Sequence, residues 1–306
     1  MKNNFPQGVW PVMLTPFTTD GQVDYKALEE LVEWYIKEKV SGLFAVCQSS
    51  EMFYLSLEER IKITKTIVKV ADKRVPVIAS GHISESFEDQ VAELNAMAKT
   101  GAEAIILITN RLAKENEDDT VWLNNCKKLL DKIDFDLPLG FYECPYPYKR
   151  LLSEENLKWC ASSGRFFFIK DTCCDIDMIK KRLKIIKGSN LKLYNANTTT
   201  LLESLRSGAA GFSGVMANFH PNLYVRLCEE FNTKEAEEIS DALTIASLIE
   251  RQWYPVNAKY HLSSIEGLSI KTTCRVKDDK YMTDTFKQEV HDLDRMLKHN
   301  FGKYFK

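Results

Sequence analysis

Short apolar runs alternate with amphipathic segments along most of the chain. Eight of the runs are continuous rather than alternating in polarity, which is typical of strands buried on both faces of a parallel sheet. They predict strands at 9–14, 43–47, 75–79, 104–108, 137–142, 166–170, 191–194 and 210–213. The segments between them carry apolar residues at helical spacing, so the pattern predicts a series of βα units.

Several of the predicted helices have recognisable caps. Asp24 precedes an apolar stripe, and Ser56 and Glu59 have the spacing of a capping box. Asp175 precedes a further stripe, which stops at Gly188. Eight βα units in series predict a closed (β/α)8 barrel, with an open, doubly wound sheet as the alternative.

The strand pattern stops near residue 231, and the remainder predicts helices only. The longest of these begins at Asp284 and carries apolar residues at helical spacing to the end of the chain. We therefore predict an α/β fold in two parts: a TIM barrel in residues 1–231 and an appended C-terminal helical domain in residues 232–306.

The composition excludes several classes of protein. The 306 residues are 44% hydrophobic and 27% charged, with a formal net charge of −2, as in an ordinary globular protein. The chain has no basic excess that would indicate a nucleic-acid partner, and no apolar run near 18 residues that would indicate a membrane span. The tetrapeptide 1–4 leads directly into the first predicted strand without the features of a signal peptide, which predicts a cytoplasmic protein.

The cysteines and histidines show no ligand spacing. None of the eight cysteines forms a C-x-x-C pair, and the five histidines form no H-E-x-x-H motif. We therefore expect reduced thiols, no protein-built metal site and no cofactor.

Lys170 and Tyr142 each end a predicted buried strand. Because the carboxyl ends of parallel strands meet at one edge of a sheet, an amine and a phenol could face each other there. The amine can form an imine with a keto acid, and the phenol can move protons beside it. A lysine at a strand end is more often a solvated charge, so this pair alone does not establish catalysis.

Hydroxyl groups follow other strands at the same predicted edge. They belong to Thr15 after the first strand, Ser49 and Ser50 after the second, and Ser213 at the end of the eighth. These hydroxyl groups would thus cluster around the amine and the phenol. The structural alternative is that small polar residues suit tight loops. Glu51 and His82 also follow strands, and we assign them no chemistry.

Several motifs in the same order resemble one known family. They are GVWPVMLTPF at 8–17, LSLEER at 55–60, RVPVI at 74–78, FY at 141–142, IKD at 169–171 and GAAG at 208–211. Together they resemble the pyruvate-dependent class I aldolases, the family that includes dihydrodipicolinate synthase and N-acetylneuraminate lyase. The resemblance covers nearly the whole chain.

The resemblance implies roles for the residues at the strand ends. The family's Schiff-base lysine corresponds to Lys170, and its proton-shuttling tyrosine corresponds to Tyr142. Ser49 and Ser50 would hold the substrate carboxylate, while Thr15 and Ser213 would line the same pocket. The resemblance also implies a 2-oxo acid substrate and a homo-oligomer, either a dimer or a tetramer.

The chain departs from the family in the loops that select the second substrate. The second-strand loop is CQSSE at 47–51, where the family has two glycines. Leu112 stands where a tyrosine of the proton relay is common, and Pro147 where the synthases carry a carboxylate-binding arginine. The loop 195–199 lacks the acidic residues of the sialate lyases.

These departures favour a lyase or aldolase for another 2-oxo acid, such as a deoxy sugar acid. Arg111, Tyr146 and Tyr148 are then candidate recognition groups. The alternatives are a dihydrodipicolinate synthase, a sensor that binds a 2-oxo acid without turnover, and a metal-dependent aldolase, which the scattered histidines disfavour.

Overall fold

Eight parallel strands form the centre of the molecule. The computed structural model describes residues 5–305, so the tetrapeptide on which the prediction about secretion was based lies outside the described residues. The strands are β1 Gly8–Val9, β2 Leu43–Ala45, β3 Val77–Ala79, β4 Ala104–Ile108, β5 Leu139–Tyr142, β6 Phe166–Asp171, β7 Lys192–Asn195 and β8 Gly211–Phe212. Their order in the sheet is β1-β8-β7-β6-β5-β4-β3-β2.

A parallel bridge between Val12 and Phe44 joins the two ends of this sheet. On either side of the bridge, the Met13 amide donates to the Phe44 carbonyl at 3.0 Å, and the Phe44 amide donates to the Pro11 carbonyl at 3.0 Å. The sheet therefore closes on itself, and the alternative of an open, doubly wound sheet is wrong. The prediction of a (β/α)8 barrel with a C-terminal helical part is confirmed.

Helices cover the outside of the barrel, as the periodicity predicts. Those that follow the strands are α1 Tyr25–Lys37, α2 Leu57–Ala71, α3 Phe87–Ala98, α4 Asp119–Leu130, α5 Glu154–Ser162, α6 Ile176–Ile186, α7 Leu201–Arg206 and α8 Pro221–Glu230. The predicted caps are present. Asp24 accepts from the Ala27 amide, Ser56 and Glu59 form a capping box, and Asp175 caps α6.

Three further helices follow the barrel: α9 Glu235–Ala246, α10 Val256–Ser264 and α11 Asp284–Phe301. They are joined to the barrel by a buried ion pair in which Lys259 Nζ of α10 lies 2.9 Å from Glu51 Oε1. The other Glu51 oxygen accepts from the backbone amides of Arg275 and Val276 at 2.6 and 2.9 Å. The loop after β2 thus anchors the C-terminal helices at the mouth of the barrel.

Aromatic side chains fill the barrel interior. The Phe168 ring stacks on Tyr194 with centroids 4.2 Å apart, and Trp10 and Phe44 meet Phe168 edge to face. Because Phe168 and Lys170 point to the same face of β6, this layer is the floor on which the lysine stands. Within residues 5–305, no helix is long and apolar enough to cross a membrane, and all eight cysteines are unpaired.

Candidate active site

Lys170 and Tyr142 are brought together by strand register. The two residues are directly opposite each other in the β5–β6 pair. The Lys170 amine lies 4.0 Å from the centroid of the Tyr142 ring, and both side chains are buried, with 4% and 3% of their surface exposed. The edge of the barrel therefore presents an amine and a phenol in contact, out of bulk water.

Burial favours the uncharged form of both groups. It lowers the pKa of Lys170 below that of a free lysine, while nearby Cys47, Cys144 and Glu250 act in the opposite direction. Burial also raises the pKa of Tyr142 well above that of a free tyrosine. A neutral amine and a protonated phenol are the forms needed to attack a carbonyl and to donate a proton.

The Tyr142 hydroxyl is oriented by Gln48. It donates to Gln48 Oε1 at 3.1 Å, and the Cys144 thiol points at the same oxygen from 3.5 Å. Burial raises the pKa of Cys144 to about 11, so the thiol stays protonated near neutral pH. Gln48 thus fills the space beside the phenol, in the loop that differs from the family pattern.

The four predicted binding residues, Thr15, Ser49, Ser50 and Ser213, are all buried. Three of their hydroxyls donate to backbone carbonyls: Thr15 to Ser50 at 2.8 Å, Ser50 to Met13 at 2.5 Å, and Ser213 to Trp10 at 2.9 Å. A hydroxyl has one proton to donate, so these groups can offer a substrate only their lone pairs unless they rotate. Their visible contacts tie the ends of β1, β2 and β8 together.

Ser49 has a different environment. Its hydroxyl faces the phenol of Tyr254, which also accepts from Asn218 Nδ2 at 3.0 Å. Burial raises the pKa of Tyr254, and its hydrogen bonds to Ser49 and Asn218 oppose that rise. Asn218 in turn contacts the Tyr35 hydroxyl.

Sequence analysis did not identify Tyr254. It lies between α9 and α10 and belongs to no strand end, so no pattern in the chain signals its approach to the barrel mouth.

A buried arginine joins the ends of β5 and β6 from outside the barrel. Glu143 and Asp171 follow Tyr142 and Lys170, and their side chains point to the opposite face of the sheet. There both carboxylates meet the guanidinium of Arg182 on α6, with Arg182 Nη2 2.8 Å from Glu143 Oε1. We call Glu143, Asp171 and Arg182 the outer clamp.

Glu51 and His82 have structural partners. Glu51 forms the ion pair with Lys259 described above. His82 accepts from the Ile108 amide through Nδ1 at 3.1 Å and lies 2.8 Å from Gln90 Oε1 through Nε2. Burial lowers the His82 pKa to about 4, so the ring is neutral near pH 7. These contacts account for both residues without a catalytic role.

The candidate recognition groups lie beside the barrel mouth. The Tyr146 ring is half exposed and packs on Phe53 with centroids 4.9 Å apart, and the Arg111 guanidinium lies 5.6 Å from the Phe53 ring. The Tyr148 hydroxyl donates to the Asn110 carbonyl at 2.7 Å. The Arg111 Nε atom is buried and has no hydrogen-bond partner within residues 5–305.

Known proteins match the chain over most of its length. The family model described as the dihydrodipicolinate synthetase family matches residues 5–299. A 4-hydroxy-tetrahydrodipicolinate synthase from Thermodesulfovibrio yellowstonii is 29% identical over 77% of this chain and 78% of its own. A protein of the same name from Methanococcus aeolicus is 27% identical over 92% of this chain and 98% of its own.

Solved structures match the fold in the same way. The dihydrodipicolinate synthase from Acinetobacter baumannii, solved in complex with pyruvate, superimposes with a TM-score of 0.84 at 25% identity. The match covers 94% of this chain and 98% of that one.

Proposed function

This chain belongs to the dihydrodipicolinate synthetase family, and on that premise we propose that Lys170 and Tyr142 are its catalytic pair. It is a pyruvate-dependent class I aldolase, an enzyme that binds a keto acid as a Schiff base on a lysine. The observation that carries the residue assignment is the contact of the Lys170 amine with the Tyr142 ring, 4.0 Å from its centroid, in a buried setting.

The reaction follows from these two groups. The neutral Lys170 amine attacks C2 of the keto acid. The former carbonyl oxygen takes one proton from the Tyr142 hydroxyl and one from the amine nitrogen and leaves as water, so that a protonated C=N bond and a Tyr142 phenolate remain. The C3–C4 bond then breaks, its electron pair passes to the protonated imine, and the phenolate takes the proton of the C4 hydroxyl, which releases an aldehyde and leaves an enamine on Lys170. Tyr142 returns this proton to C3, and water hydrolyses the resulting imine to pyruvate and the free amine.

Ser49 is the proposed hydroxyl donor to the substrate carboxylate, together with backbone amides at the start of the turn Gln48–Ser50. Its known contact is with another hydroxyl, that of Tyr254, which a carboxylate oxygen can replace. Thr15, Ser50 and Ser213 remain proposed pocket residues, and their bonds to backbone carbonyls support a role in shaping the loop around the carboxylate.

We propose a hydroxylated 2-oxo acid, such as a deoxy sugar acid, as substrate. Leu112 and Pro147 supply neither the phenol nor the guanidinium expected of a synthase, while Arg111 and Tyr146 lie beside the barrel mouth. The second candidate is 4-hydroxy-tetrahydrodipicolinate synthesis, which the names of the two relatives favour.

Borohydride trapping tests the Schiff base. Pyruvate with borohydride should add one adduct per chain, and peptide mass spectrometry should locate it on Lys170. The Lys170→Arg variant should form none, because a guanidinium keeps the charge but cannot form the imine. An adduct on another lysine, or none with any 2-oxo acid, contradicts the assignment. An adduct without turnover of any substrate would favour the sensor hypothesis.

Comparison of substrates tests specificity. We expect condensation of pyruvate with aspartate semialdehyde to be weaker than cleavage of a deoxy sugar acid by roughly 30- to 1,000-fold in kcat/KM. This range corresponds to about 2–4 kcal/mol for a lost charge-assisted contact. Synthase activity near about 10⁶ M⁻¹s⁻¹ would overturn the substrate proposal and leave the Schiff base intact.

The assembly and the compartment are further proposals. The half-exposed Tyr146 ring at the barrel mouth supports a homo-oligomer, a dimer or a tetramer, in which a partner subunit covers that ring. Sedimentation velocity would detect it, and a monomer at micromolar concentration would contradict it. The eight unpaired cysteines support a reducing compartment, the cytoplasm.

A further inference from the structure

Two histidines and an aspartate meet where the C-terminal helices pack against α8. His220 immediately precedes α8, His261 lies in α10, and Asp294 lies in α11. All three are buried, with 2%, 0% and 7% of their surface exposed. Each offers one donor atom to a common point, and these atoms lie within 4.8 Å of one another. The mechanism proposed above uses none of them.

Within residues 5–305, the polar atoms of this cluster lack hydrogen bonds of ordinary geometry. They are both ring nitrogens of His220, both of His261, and Oδ1 of Asp294, all buried. Their remaining contacts are longer or weaker, from His220 to Asp294 and from His261 to the Phe219 backbone. Each such atom costs about 1–3 kcal/mol relative to a satisfied one, so five of them in one cluster require an explanation. Lys298 binds the other Asp294 oxygen at 2.9 Å and thereby leaves Oδ1 directed at the histidines.

The spacing fits ligands of a metal ion better than a hydrogen bond. His220 Nε2 and Asp294 Oδ1 are 3.5 Å apart, which is beyond the usual hydrogen-bond length. Around a tetrahedral zinc ion, bonds of about 2.0–2.2 Å place neighbouring ligand atoms about 3.3–3.6 Å apart. A fourth oxygen is near, because Glu266 Oε1 lies 3.8 Å from His261 Nε2.

The two imidazole rings of the cluster lie close together. Their centroids are 5.0 Å apart and their planes are inclined by 73°. Imidazole nitrogens and a carboxylate oxygen are the ligand atoms that these three side chains present, and they are atoms that bind a divalent ion.

We propose that His220, His261 and Asp294 bind one divalent ion of the zinc class, with Glu266 or water as the fourth ligand. The donor set of two imidazoles and a carboxylate suits zinc and its neighbours rather than magnesium or calcium. A cavity of about 340 Å³ lies next to the cluster, lined by the two chain neighbours of His220, Phe219 and Pro221, and by Glu266 and Lys298. The ion fastens α8, α10 and α11 to one another.

Metal titration of the whole, tag-free chain tests this site. After removal of metal with a chelator, zinc should bind with one ion per chain by calorimetry and should raise the melting temperature. Cobalt(II), added in place of zinc, should give the visible absorption of a tetrahedral nitrogen and oxygen site. The His220→Gln and Asp294→Asn variants should bind at least about 10- to 100-fold more weakly, the loss seen even for indirect ligand partners.

The matched control is His299→Gln, because His299 is an exposed histidine on α11. It should bind zinc as the unchanged chain does. Absence of stoichiometric binding to the unchanged chain, or equal binding by the His220 and His299 variants, overturns the site. The cobalt spectrum of the unchanged chain needs no variant, so a variant that fails to fold does not obscure the result. Pyruvate trapping at Lys170 should occur with and without the metal, which separates this test from that of the proposed function.

Discussion

At the residue scale, removal of the Tyr142 hydroxyl tests its role in proton transfer separately from the packing of its ring. Tyr142→Phe keeps the ring beside Lys170 and removes only the proton donor, so turnover should fall by roughly 10²-fold or more. The control is Tyr194→Phe, because the Tyr194 hydroxyl bonds to the Pro6 carbonyl at 2.8 Å rather than to a catalytic group. Steady-state kinetics on both variants checks this. Equal rates in the two variants would show that the Tyr142 phenol has only a structural role.

Glu250 should affect the pH at which Lys170 loses its proton and becomes able to attack a carbonyl. Its negative charge raises the Lys170 pKa, which burial lowers. Glu250→Gln should therefore lower that pKa further and move the acid limb of the kcat/KM profile to lower pH. Glu229→Gln, an exposed carboxylate on α8, serves as the control. A shift to higher pH, or none, contradicts the electrostatic coupling.

The meeting of Lys170 and Tyr142, the proposed catalytic pair, could be predicted from the chain, but several of the contacts around it could not. Lys170 and Tyr142 each end a buried apolar run, so the sheet alone fixes their meeting. The contact of Gln48 with Tyr142 depends on how one irregular turn folds, and Tyr254 arrives from the C-terminal helices. Such contacts join distant segments and leave no periodic trace in the sequence.

At the scale of elements, the outer clamp holds the ends of β5 and β6 in register. Arg182→Gln would leave the Glu143 and Asp171 carboxylates buried together without a cation, which should lower the free energy of unfolding by about 3–5 kcal/mol. It should also slow imine formation, because Tyr142 and Lys170, the proposed catalytic pair, directly precede Glu143 and Asp171.

Urea unfolding and the rate of pyruvate trapping measure these two effects. The control is Arg206→Gln, whose partner Glu237 is exposed and whose loss should cost about 0–1 kcal/mol. If the two arginine variants are equally stable, the clamp is not structural.

The predicted helix starts agree closely with the structure, whereas the predicted strand ends agree less well. Asp24, Ser56 and Asp175 cap helices because capping needs only local contacts. The predicted first strand, 9–14, is reduced to a regular pair at Gly8–Val9. Beyond Val9, the Trp10 amide still donates to the Phe212 carbonyl of β8 at 2.8 Å, and Val12 pairs with Phe44 of β2 by a single bridge. An apolar run cannot reveal where such pairing is regular and where it is isolated.

At the scale of the whole molecule, we propose that residues 232–306 form a helical domain fastened to the barrel by the Lys259–Glu51 pair. Lys259→Met leaves a buried carboxylate without its cation and should destabilise the chain by about 3–5 kcal/mol. The double variant with Glu51→Gln should recover part of that loss, because no charge then remains buried.

A double-mutant cycle in urea measures the coupling between the two residues. Additive losses would contradict a direct ion pair as the fastening. Hydrogen exchange should show increased opening of α10 in the single variant.

The position of the outer clamp has a consequence for how this enzyme could acquire new substrates. Apart from Gln48, the groups that hold Lys170 and Tyr142 in place lie behind the sheet, whereas the groups that can touch the far end of a substrate lie in loops in front of it. Mutations in those loops that spare Gln48 therefore leave the proposed pair aligned. During evolution, single substitutions in these loops can change which aldehyde is released. Each intermediate variant still folds and still forms the imine.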